Sequence, residues 1–301
     1  MHGKYKGRPL IKQADFILNE AQGLIVFTDL DGTLLDHYTY DYSPAKPALQ
    51  LIRRLHIPLI LTSSKTFDEI KQWVQRLELP YPFIFENGAG IAFPPQFSHL
   101  PEPNHRYGGY TIWHPGPDYA YIRQLLQQWQ HLFRFQGFGD MSVETIAKHT
   151  GLSLNEAQAA RRRMASEPLM WEDTPEKLTA FRQLLQQHHL QLIRGGRFYH
   201  VVGKNVDKGK AVRTIIQQYQ KMEGFQRVSI GIGDSPNDLP LLNAVDIPIA
   251  VQRPDGSYMP DLPPNALHAP DVGPHGWNAA ISQLLSFRIN GQSHQSTGGL
   301  Q

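Results

Sequence analysis

Cysteine is absent from this sequence of 301 residues. Disulfide bonds, thiolate nucleophiles and cysteine-ligated zinc are therefore excluded. A cytoplasmic location is compatible with this composition and is the location we expect. The longest apolar runs, at residues 24–27 and 57–61, fall well short of the roughly 18–20 residues that span a bilayer. The first residues (MHGK) include no apolar segment, so no secretory signal is predicted.

Excess charge is also nearly absent, since the formal net charge is +2. This balance gives no electrostatic argument for nucleic acid or a membrane surface as a partner, and neither is expected. The composition carries no signal for an oligomeric state. Hydrophobic residues make up 41% of the chain, which is enough for a sizeable core. The length predicts one core plus an inserted or appended unit.

Short apolar runs alternate with segments of helical periodicity. The predicted strands are residues 23–28, 57–62, 81–85, 227–232 and 247–251. The predicted helices are residues 47–55, 67–77, 208–219, 239–244 and about 276–287. Residues 253–274, rich in proline and aspartate, are predicted as a loop. This alternation is typical of a doubly wound α/β core with a mostly parallel, Rossmann-like sheet.

The pattern changes over residues 101–203, which predicts an α+β cap domain inserted into the core. The sequence RQLLQQ occurs at residues 123–128 and again at 182–187, each time on a helical segment followed by an apolar strand. This favours a cap with two similar halves, and chance similarity between good helix formers is an equal alternative. The catalytic core is then expected to comprise residues 1–100 and 204–288, with a disordered tail at 289–301.

Three local signals lie within the predicted cap. Ser153 and Glu156 form a capping-box pattern, which predicts a helix start. An arginine run, RRR at residues 161–163, follows near the end of that helix, where positive charge suits the helix dipole. A solvated face is the simpler interpretation of the run, and a phosphate or partner contact is the alternative. Gly195 and Gly196 predict a tight hairpin turn.

Two acids directly follow the first predicted strand. Asp29 and Asp31 are two residues apart and are expected to point the same way. Because like charges repel, a cation is expected between them. Gly32 permits the sharp turn that follows, and an ordinary Asp-Gly turn is the alternative interpretation.

Polar residues also follow two other predicted strands. Residues 62–66 (TSSKT) place hydroxyls before a helix, which indicates either an anion site or an ordinary N-cap. Asp234 lies at a strand end like Asp29, whereas Ser235 and Asp238 are accounted for by helix capping. Lys208 is poorly placed for the dipole at a helix start, which invites a functional interpretation beside that of a solvated lysine.

Together these motifs resemble, in order and separation, the four motifs of the haloacid dehalogenase-like phosphohydrolases, in the subclass with a large α/β cap. A narrower resemblance is to the mannosyl-3-phosphoglycerate phosphatase family. The similar stretches are residues 28–35, 63–66, 86–89, 194–200, 207–209 and 273–277. Ser64-Lys65 departs from the commoner Gly-Arg of the superfamily, but the narrower family shares it.

The resemblance implies a phosphatase that forms a phosphoryl intermediate on Asp29. Asp31 is then the general acid and base, and Lys208 offsets the charge of the phosphate. Mg²⁺ is the implied cofactor, held by Asp29, Asp31 and Asp234, with Asp238 either a direct ligand or a support for the ligands.

The resemblance also implies a small phosphorylated sugar-acid as the substrate. The implied phosphate- and substrate-binding residues are Ser63, Ser64, Lys65, Asn87, Arg194, Gly195, Gly196, Arg197 and His200. Mannosyl-3-phosphoglycerate is the expected substrate. Glucosyl-3-phosphoglycerate, sucrose phosphate or another sugar phosphate are alternatives. Phosphotransfer and a non-catalytic, phosphosugar-binding role are alternatives of other classes.

Overall fold

The computed structural model describes residues 23–98, 100–102, 104–195 and 198–295, with side chains described as far as residue 286. Its strands are β1 (Leu24–Thr28), β2 (Leu59–Leu61), β3 (Phe83–Phe85), β4 (Gly90–Phe93), β5 (Asn104–Tyr107), β6 (Tyr110–Trp113), β7 (Phe135–Gly137), β8 (Ser166–Trp171), β9 (Leu190–Arg194), β10 (Tyr199–Gly203), β11 (Val228–Gly233), β12 (Ile247–Gln252) and β13 (Leu267–Val272). Its α-helices are α1 (Lys46–Arg54), α2 (Phe67–Arg76), α3 (Tyr119–Trp129), α4 (Val143–Thr150), α5 (Leu154–Arg161), α6 (Pro175–Gln187), α7 (Lys208–Glu223), α8 (Leu239–Leu242) and α9 (Gly273–Gln295). Among these helices, none is both long and apolar enough to cross a membrane.

The described chain divides into two compact units. The first comprises residues 23–60, 216–234 and 241–295. Its centre is a five-stranded sheet in the order β13-β12-β11-β1-β2. β11 pairs in parallel with both β1 and β12, and β12 pairs in parallel with β13. Every residue of β1 and β11 is buried, which is why these strands are continuous apolar runs rather than alternating ones.

The second unit comprises Leu61–Ile215 and Ser235–Pro240. It contains two four-stranded sheets, ordered β7-β8-β10-β9 and β3-β4-β6-β5, whose strands pair antiparallel. The two RQLLQQ copies lie on α3 and α6, which pack into one apolar cluster. Each of these helices is followed by an edge strand of the β7-β8-β10-β9 sheet: β7 follows α3, and β9 follows α6. Both copies of the repeat therefore lie on a helix that precedes an edge strand, and the similarity of the two halves stays a prediction.

A parallel sheet accompanied by antiparallel sheets confirms the predicted α/β fold class. The division into a catalytic core and an inserted cap at the predicted bounds stays a prediction. The capping box at Ser153 is present, since its hydroxyl accepts a hydrogen bond from the Glu156 amide.

The predicted third core strand pairs differently from the expectation. β3 pairs antiparallel with β4 and has one isolated parallel bridge, between Thr62 and Ile84. A short, wholly apolar run indicates burial on both faces but does not specify its neighbour, so the sequence could not determine this pairing.

Two predicted boundaries at the end of the chain were wrong. β13 lies inside the predicted loop 253–274, where Leu267 and Ala269 are buried and His268 is exposed. Pro270 was the reason not to predict a strand here, since proline argues against a central strand. It is tolerated in β13 because β13 is an edge strand. α9 continues to Gln295 and so includes residues 289–295, which were predicted as tail, because extending a formed helix needs no new nucleation. Residues 296–301 lie outside the described residues.

Candidate active site

Two buried aspartates follow adjacent strands of the first unit. Thr28 at the end of β1 lies opposite Ile232 of β11, and the Asp29 amide donates to the Ile232 carbonyl at 2.9 Å. The parallel pairing brings Asp29 and Asp234 to the same edge of the sheet, the edge where α/β proteins bind ligands. Both residues lie at strand ends, as predicted, and both are buried.

The turn after Asp29 is tied to Asp234. The Thr33 hydroxyl donates to Asp234 Oδ1 at 2.8 Å. Asp31 is half-buried, and its backbone forms a parallel bridge with Leu35. Gly32 has φ of +82°, and a Cβ atom there would lie only 2.8 Å from Asp234 Oδ2. Glycine is therefore required at position 32 for backbone conformation and for space.

Alanine substitutions at Gly32 and Gly151 can be compared to separate the need for a left-handed backbone from the need for space. Gly151 ends α4 with φ of +79°, and a Cβ atom there would meet nothing within 4 Å. Gly151→Ala should lower the free energy of unfolding by about 1–2 kcal/mol, the cost of the left-handed backbone. Gly32→Ala should lose measurably more in urea denaturation, because Asp234 must also shift. Equal losses would show that the contact with Asp234 carries no weight.

The backbone of both aspartates is held from behind. The Thr28 hydroxyl donates to the Asp29 carbonyl at 2.8 Å and accepts from Trp277 Nε1 at 3.0 Å. Trp277 is completely buried. The Arg253 guanidinium donates from Nε to the Asp234 carbonyl at 3.2 Å. These hydrogen bonds hold the backbone of Asp29 and Asp234 in place and so fix the position from which each carboxylate side chain extends.

One acidic cluster in the described residues has the geometry of a metal site. Carboxylate oxygens of Asp29, Asp234 and Asp238 all lie within 4.8 Å of one another, and all three residues are buried. Buried acids this close repel strongly unless a cation lies among them. Carboxylate oxygens are the ligands that Mg²⁺ prefers, so the donor set fits that ion.

In the second unit, the hydroxyl-bearing residues that follow β2 (residues 62–66) have two different roles. Thr66 is the N-cap of α2 and forms a capping box with Glu69. Ser63 is not that cap. Its amide donates to the Ile84 carbonyl at 3.0 Å, its carbonyl accepts from the Asn87 amide at 2.9 Å, and its Oγ accepts from the Lys65 amide at 3.3 Å. Ser63 is buried, whereas Ser64 and Lys65 are half-buried.

Lys208, the first residue of α7, is buried and donates to Asp238 Oδ1 at 2.5 Å. This ion pair explains a lysine at a helix start, where the dipole alone opposes it. Asp238 also closes the predicted capping turn over Pro236–Asp238, since its Oδ2 accepts from the Ser235 amide at 3.1 Å.

A buried polar network around Glu86 was missed by sequence reasoning. The Glu86 carboxylate accepts from the Met164 and Ala165 amides, at 2.8 and 3.0 Å, and from the Ser166 hydroxyl at 2.7 Å. Arg163 Nε lies 3.7 Å from Glu86 Oε2. The only sequence signal is that Arg163 follows the end of α5 and precedes two apolar residues.

The predicted solvated face for the arginine run is wrong at its last residue. Arg163 is buried, whereas Arg161 and Arg162 are exposed. The Arg163 guanidinium donates from Nη2 to the Ser64 carbonyl at 3.0 Å and to the Ser166 hydroxyl at 2.7 Å. Burial occurs because the opposite charge of Glu86 and these oxygens compensate for the lost water.

The predicted hairpin joins β9 and β10, with Arg194 opposite Tyr199. Arg194 is exposed, and the Gly195 amide donates to the Phe198 carbonyl at 2.9 Å. Gly196 and Arg197 lie outside the described residues. A Cβ atom on Gly195 would lie 2.9 Å from His200 Nε2, so glycine leaves room for that ring. Burial, together with the charges of Arg163 and Lys208, lowers the pKa of His200 to about 3, so its imidazole is neutral.

Residues 26–99 and 142–255 match the family of haloacid dehalogenase-like hydrolases. A glucosyl-3-phosphoglycerate/mannosyl-3-phosphoglycerate phosphatase from Methanococcoides burtonii is 42% identical over 270 residues, which cover 88% of this chain and 98% of that relative. A phosphatase of the same name from Persephonella marina is 35% identical over 263 residues, covering 87% and 97%.

Solved structures resemble the fold at lower identity. A phosphatase of the haloalkanoate superfamily from Bacteroides thetaiotaomicron aligns with a TM-score of 0.63 at 16% identity, covering 89% of this chain and 96% of that one. A protein from Thermoplasma acidophilum aligns with a TM-score of 0.61 at 15% identity, covering 88% and 99%. These likenesses concern the fold alone.

The chain belongs to the haloacid dehalogenase-like hydrolases. Within that family it is a phosphatase, and the predictions of family and enzyme class are confirmed.

Proposed function

We propose that this phosphatase hydrolyses the phosphate ester of glycosyl-3-phosphoglycerates, with Mg²⁺ as its cofactor. The observation that carries the proposal is the similarity, over almost the full length of both chains, to two phosphatases named for the glucosyl and the mannosyl substrate. Because both sugars occur in those names, we propose both as substrates rather than the mannosyl compound alone.

The acidic cluster supports the choice of metal. Asp29, Asp234 and Asp238 supply the oxygen ligands, and the Asp31 backbone carbonyl is proposed to add one. When bound, Mg²⁺ would neutralise the carboxylates and the phosphate oxygens and so allow one anion to approach another.

Asp29 is proposed to be the nucleophile. Its carboxylate attacks phosphorus as the bond to the leaving glycerate oxygen breaks, and Asp31 donates a proton to that oxygen. Asp31 then takes a proton from water as the water oxygen attacks the aspartyl-phosphate, which releases inorganic phosphate and restores Asp29. Because Asp31 is only half-buried, its carboxylate is accessible for these two proton transfers.

Ser63 and Lys208 are proposed to bind the phosphate group, assisted by Ser64 and Lys65. The ammonium of Lys208 offsets part of the negative charge, and the Ser63 hydroxyl holds a phosphate oxygen. Arg194, exposed at the end of β9, is proposed to bind the glycerate carboxylate through two parallel hydrogen bonds.

The alternatives have less support. Sucrose phosphate and other sugar phosphates have no relative among those named above. Phosphotransfer would require water to be excluded, whereas Asp31 is not fully buried. A non-catalytic binding role would be favoured by loss of an acid, yet Asp29, Asp31 and Asp234 are all present. A cytoplasmic location stays a prediction.

Metal dependence tests the proposal through phosphate release from both glycosyl-3-phosphoglycerates. Excess chelator should reduce release to background, and added Mg²⁺ should restore it, because the clustered acids repel the substrate without a cation. Asp41→Asn, in an exposed turn, is a matched control that should keep the same Mg²⁺ dependence. Full activity in chelator would contradict the proposed metal role.

A further inference from the structure

We infer that residues 159–163 form a clamp on residues 64–68, the segment that leads from β2 into α2. Through this clamp, Thr66 and Arg163 act as positioning residues for the phosphate group of the substrate. The inference rests on the proposed function and extends it, because neither of these two side chains is proposed to touch the substrate. Three contacts carry it, each between residues that lie 93 to 99 positions apart in the chain.

The clamped segment sets the orientation of the Ser63 hydroxyl. Ser63 Oγ accepts from the Lys65 amide at 3.3 Å, and the Lys65 carbonyl accepts from the Glu86 amide at 2.9 Å. A shift of the backbone at Lys65 therefore moves the Ser63 hydroxyl and the base of the Lys65 side chain together. These are two of the groups proposed to hold phosphate oxygens.

Two buried contacts of the clamp lie on either side of Lys65. Arg163 Nη2 donates to the Ser64 carbonyl at 3.0 Å, and the Thr66 hydroxyl donates to the Ala159 carbonyl at 3.0 Å. Thr66 is fully buried, and the Arg163 side chain is 3% exposed. Because hydrogen bonds are electrostatically stronger away from water, these two contacts hold the segment firmly.

The third contact lies at the edge of the clamp. Arg162 Nε donates to Asp68 Oδ2 at 2.5 Å, but the two side chains are 51% and 22% exposed. Ion pairs in such positions contribute little, because water and salt screen them. The clamp therefore depends on the buried contacts of Arg163 and Thr66.

Stability alone does not account for a buried guanidinium at position 163. Apolar side chains of similar volume commonly stabilise a core at least as well as a buried ion pair does. An apolar side chain could not, however, donate to a backbone carbonyl. Arg163 Nη2 donates to the Ser166 hydroxyl at 2.7 Å as well as to the Ser64 carbonyl, and so ties residue 64 to the start of β8.

Thr66 joins the clamp while it caps α2. Its oxygen accepts from the Glu69 amide at 3.2 Å, and this acceptor is all that an N-cap requires. Its proton lies within reach of two acceptors, Glu69 Oε2 and the Ala159 carbonyl, each at 3.0 Å. Ala159 is buried in α5, so this contact joins α5 to the segment before α2.

The test compares Thr66→Val with Thr174→Val. Thr174 is also an N-cap of the second unit, since its hydroxyl accepts from the Lys177 amide at 3.3 Å, but it is exposed and precedes α6. Both variants should lower the urea midpoint through loss of a cap. Only Thr66→Val should lower kcat/KM for a chromogenic phosphate ester, by about tenfold, and raise the Ki of inorganic phosphate by a similar factor. Thr66→Ser keeps the hydroxyl and should restore both values.

Arg163→Lys gives the second measurement. Lysine keeps the positive charge but lacks the planar fork, so it cannot reproduce the contacts with Ser64 and Ser166. We expect the same loss of about tenfold in kcat/KM and the same rise in the Ki of inorganic phosphate. Wild-type values in Arg163→Lys would show that only the charge matters and would overturn the positioning role of Arg163.

The chromogenic ester and inorganic phosphate make these measurements depend on the phosphate group alone. Unchanged values in Thr66→Val, or equal changes in Thr174→Val, would overturn the inference and leave the proposed function intact. A wild type that hydrolyses the chromogenic ester but neither glycosyl-3-phosphoglycerate would contradict the proposed substrate class, and the same comparison of variants would still decide the inference.

Discussion

Asn in place of Asp29 should abolish turnover, with a loss of at least about 10⁴-fold in kcat, because the amide cannot attack phosphorus. The fold should not suffer. Asp29 is one of three buried carboxylates within 4.8 Å, and removing one lessens their mutual repulsion. We therefore expect Asp29→Asn to be at least as stable as the wild type in chelator, measured by thermal unfolding.

This combination separates loss of chemistry from loss of structure. Asp41→Asn serves again as the matched control, since an asparagine oxygen can still accept the hydrogen bond from the Ser43 amide. Asp41→Asn should retain both activity and stability. An Asp29→Asn protein that kept more than about one hundredth of the activity would exclude Asp29 as the nucleophile.

Among these substitutions, Lys208→Met should cause the largest loss of stability. The side chains of Lys208 and Asp238 are both fully buried and form an ion pair at 2.5 Å. Removing one partner leaves the other charge buried and unpaired, which typically costs about 3–5 kcal/mol. The loss should appear as a lower urea midpoint, together with loss of phosphate release.

Lys210 offers the control on the same helix. It lies two residues further along α7 and is exposed, with Nζ 3.5 Å from Asn205 Oδ1. Lys210→Met should therefore leave the urea midpoint and the activity unchanged. If both substitutions have the same effect on stability, the buried pair with Asp238 does not stabilise the fold.

Local sequence patterns predicted much of the first unit. β1 and β11 are buried apolar runs, and the acids that follow them lie where parallel strands end together. Periodicity and turn chemistry are sufficient for such features because they depend on residues close in the chain. The capping turn at Ser235 was predicted for the same reason.

What the sequence did not predict depends on contacts between distant residues. Arg163 is buried because it meets Glu86, which lies 77 positions earlier in the chain. Asn87-Gly88 is a common turn pair, but the left-handed conformation of Glu86 before it has no local signal, and the turn is maintained by the amides of Met164 and Ala165. Neither the partner nor the strain follows from neighbouring residues alone.

The same limit applies to strand pairing. β3 was correctly predicted as a buried strand but not as the antiparallel partner of β4. Burial selects apolar residues whichever strand lies alongside, so the choice of neighbour is made by the tertiary fold.

Substrate selectivity is the measurement that tests the account most directly. Phosphate release in the presence of Mg²⁺ would be compared among glucosyl- and mannosyl-3-phosphoglycerate, sucrose phosphate, 3-phosphoglycerate and a chromogenic phosphate ester. We expect kcat/KM for both glycosyl-3-phosphoglycerates to exceed that for every other compound by at least about tenfold. Equal or higher kcat/KM for sucrose phosphate or the chromogenic ester would contradict the proposed substrate class, and the phosphatase assignment would stand.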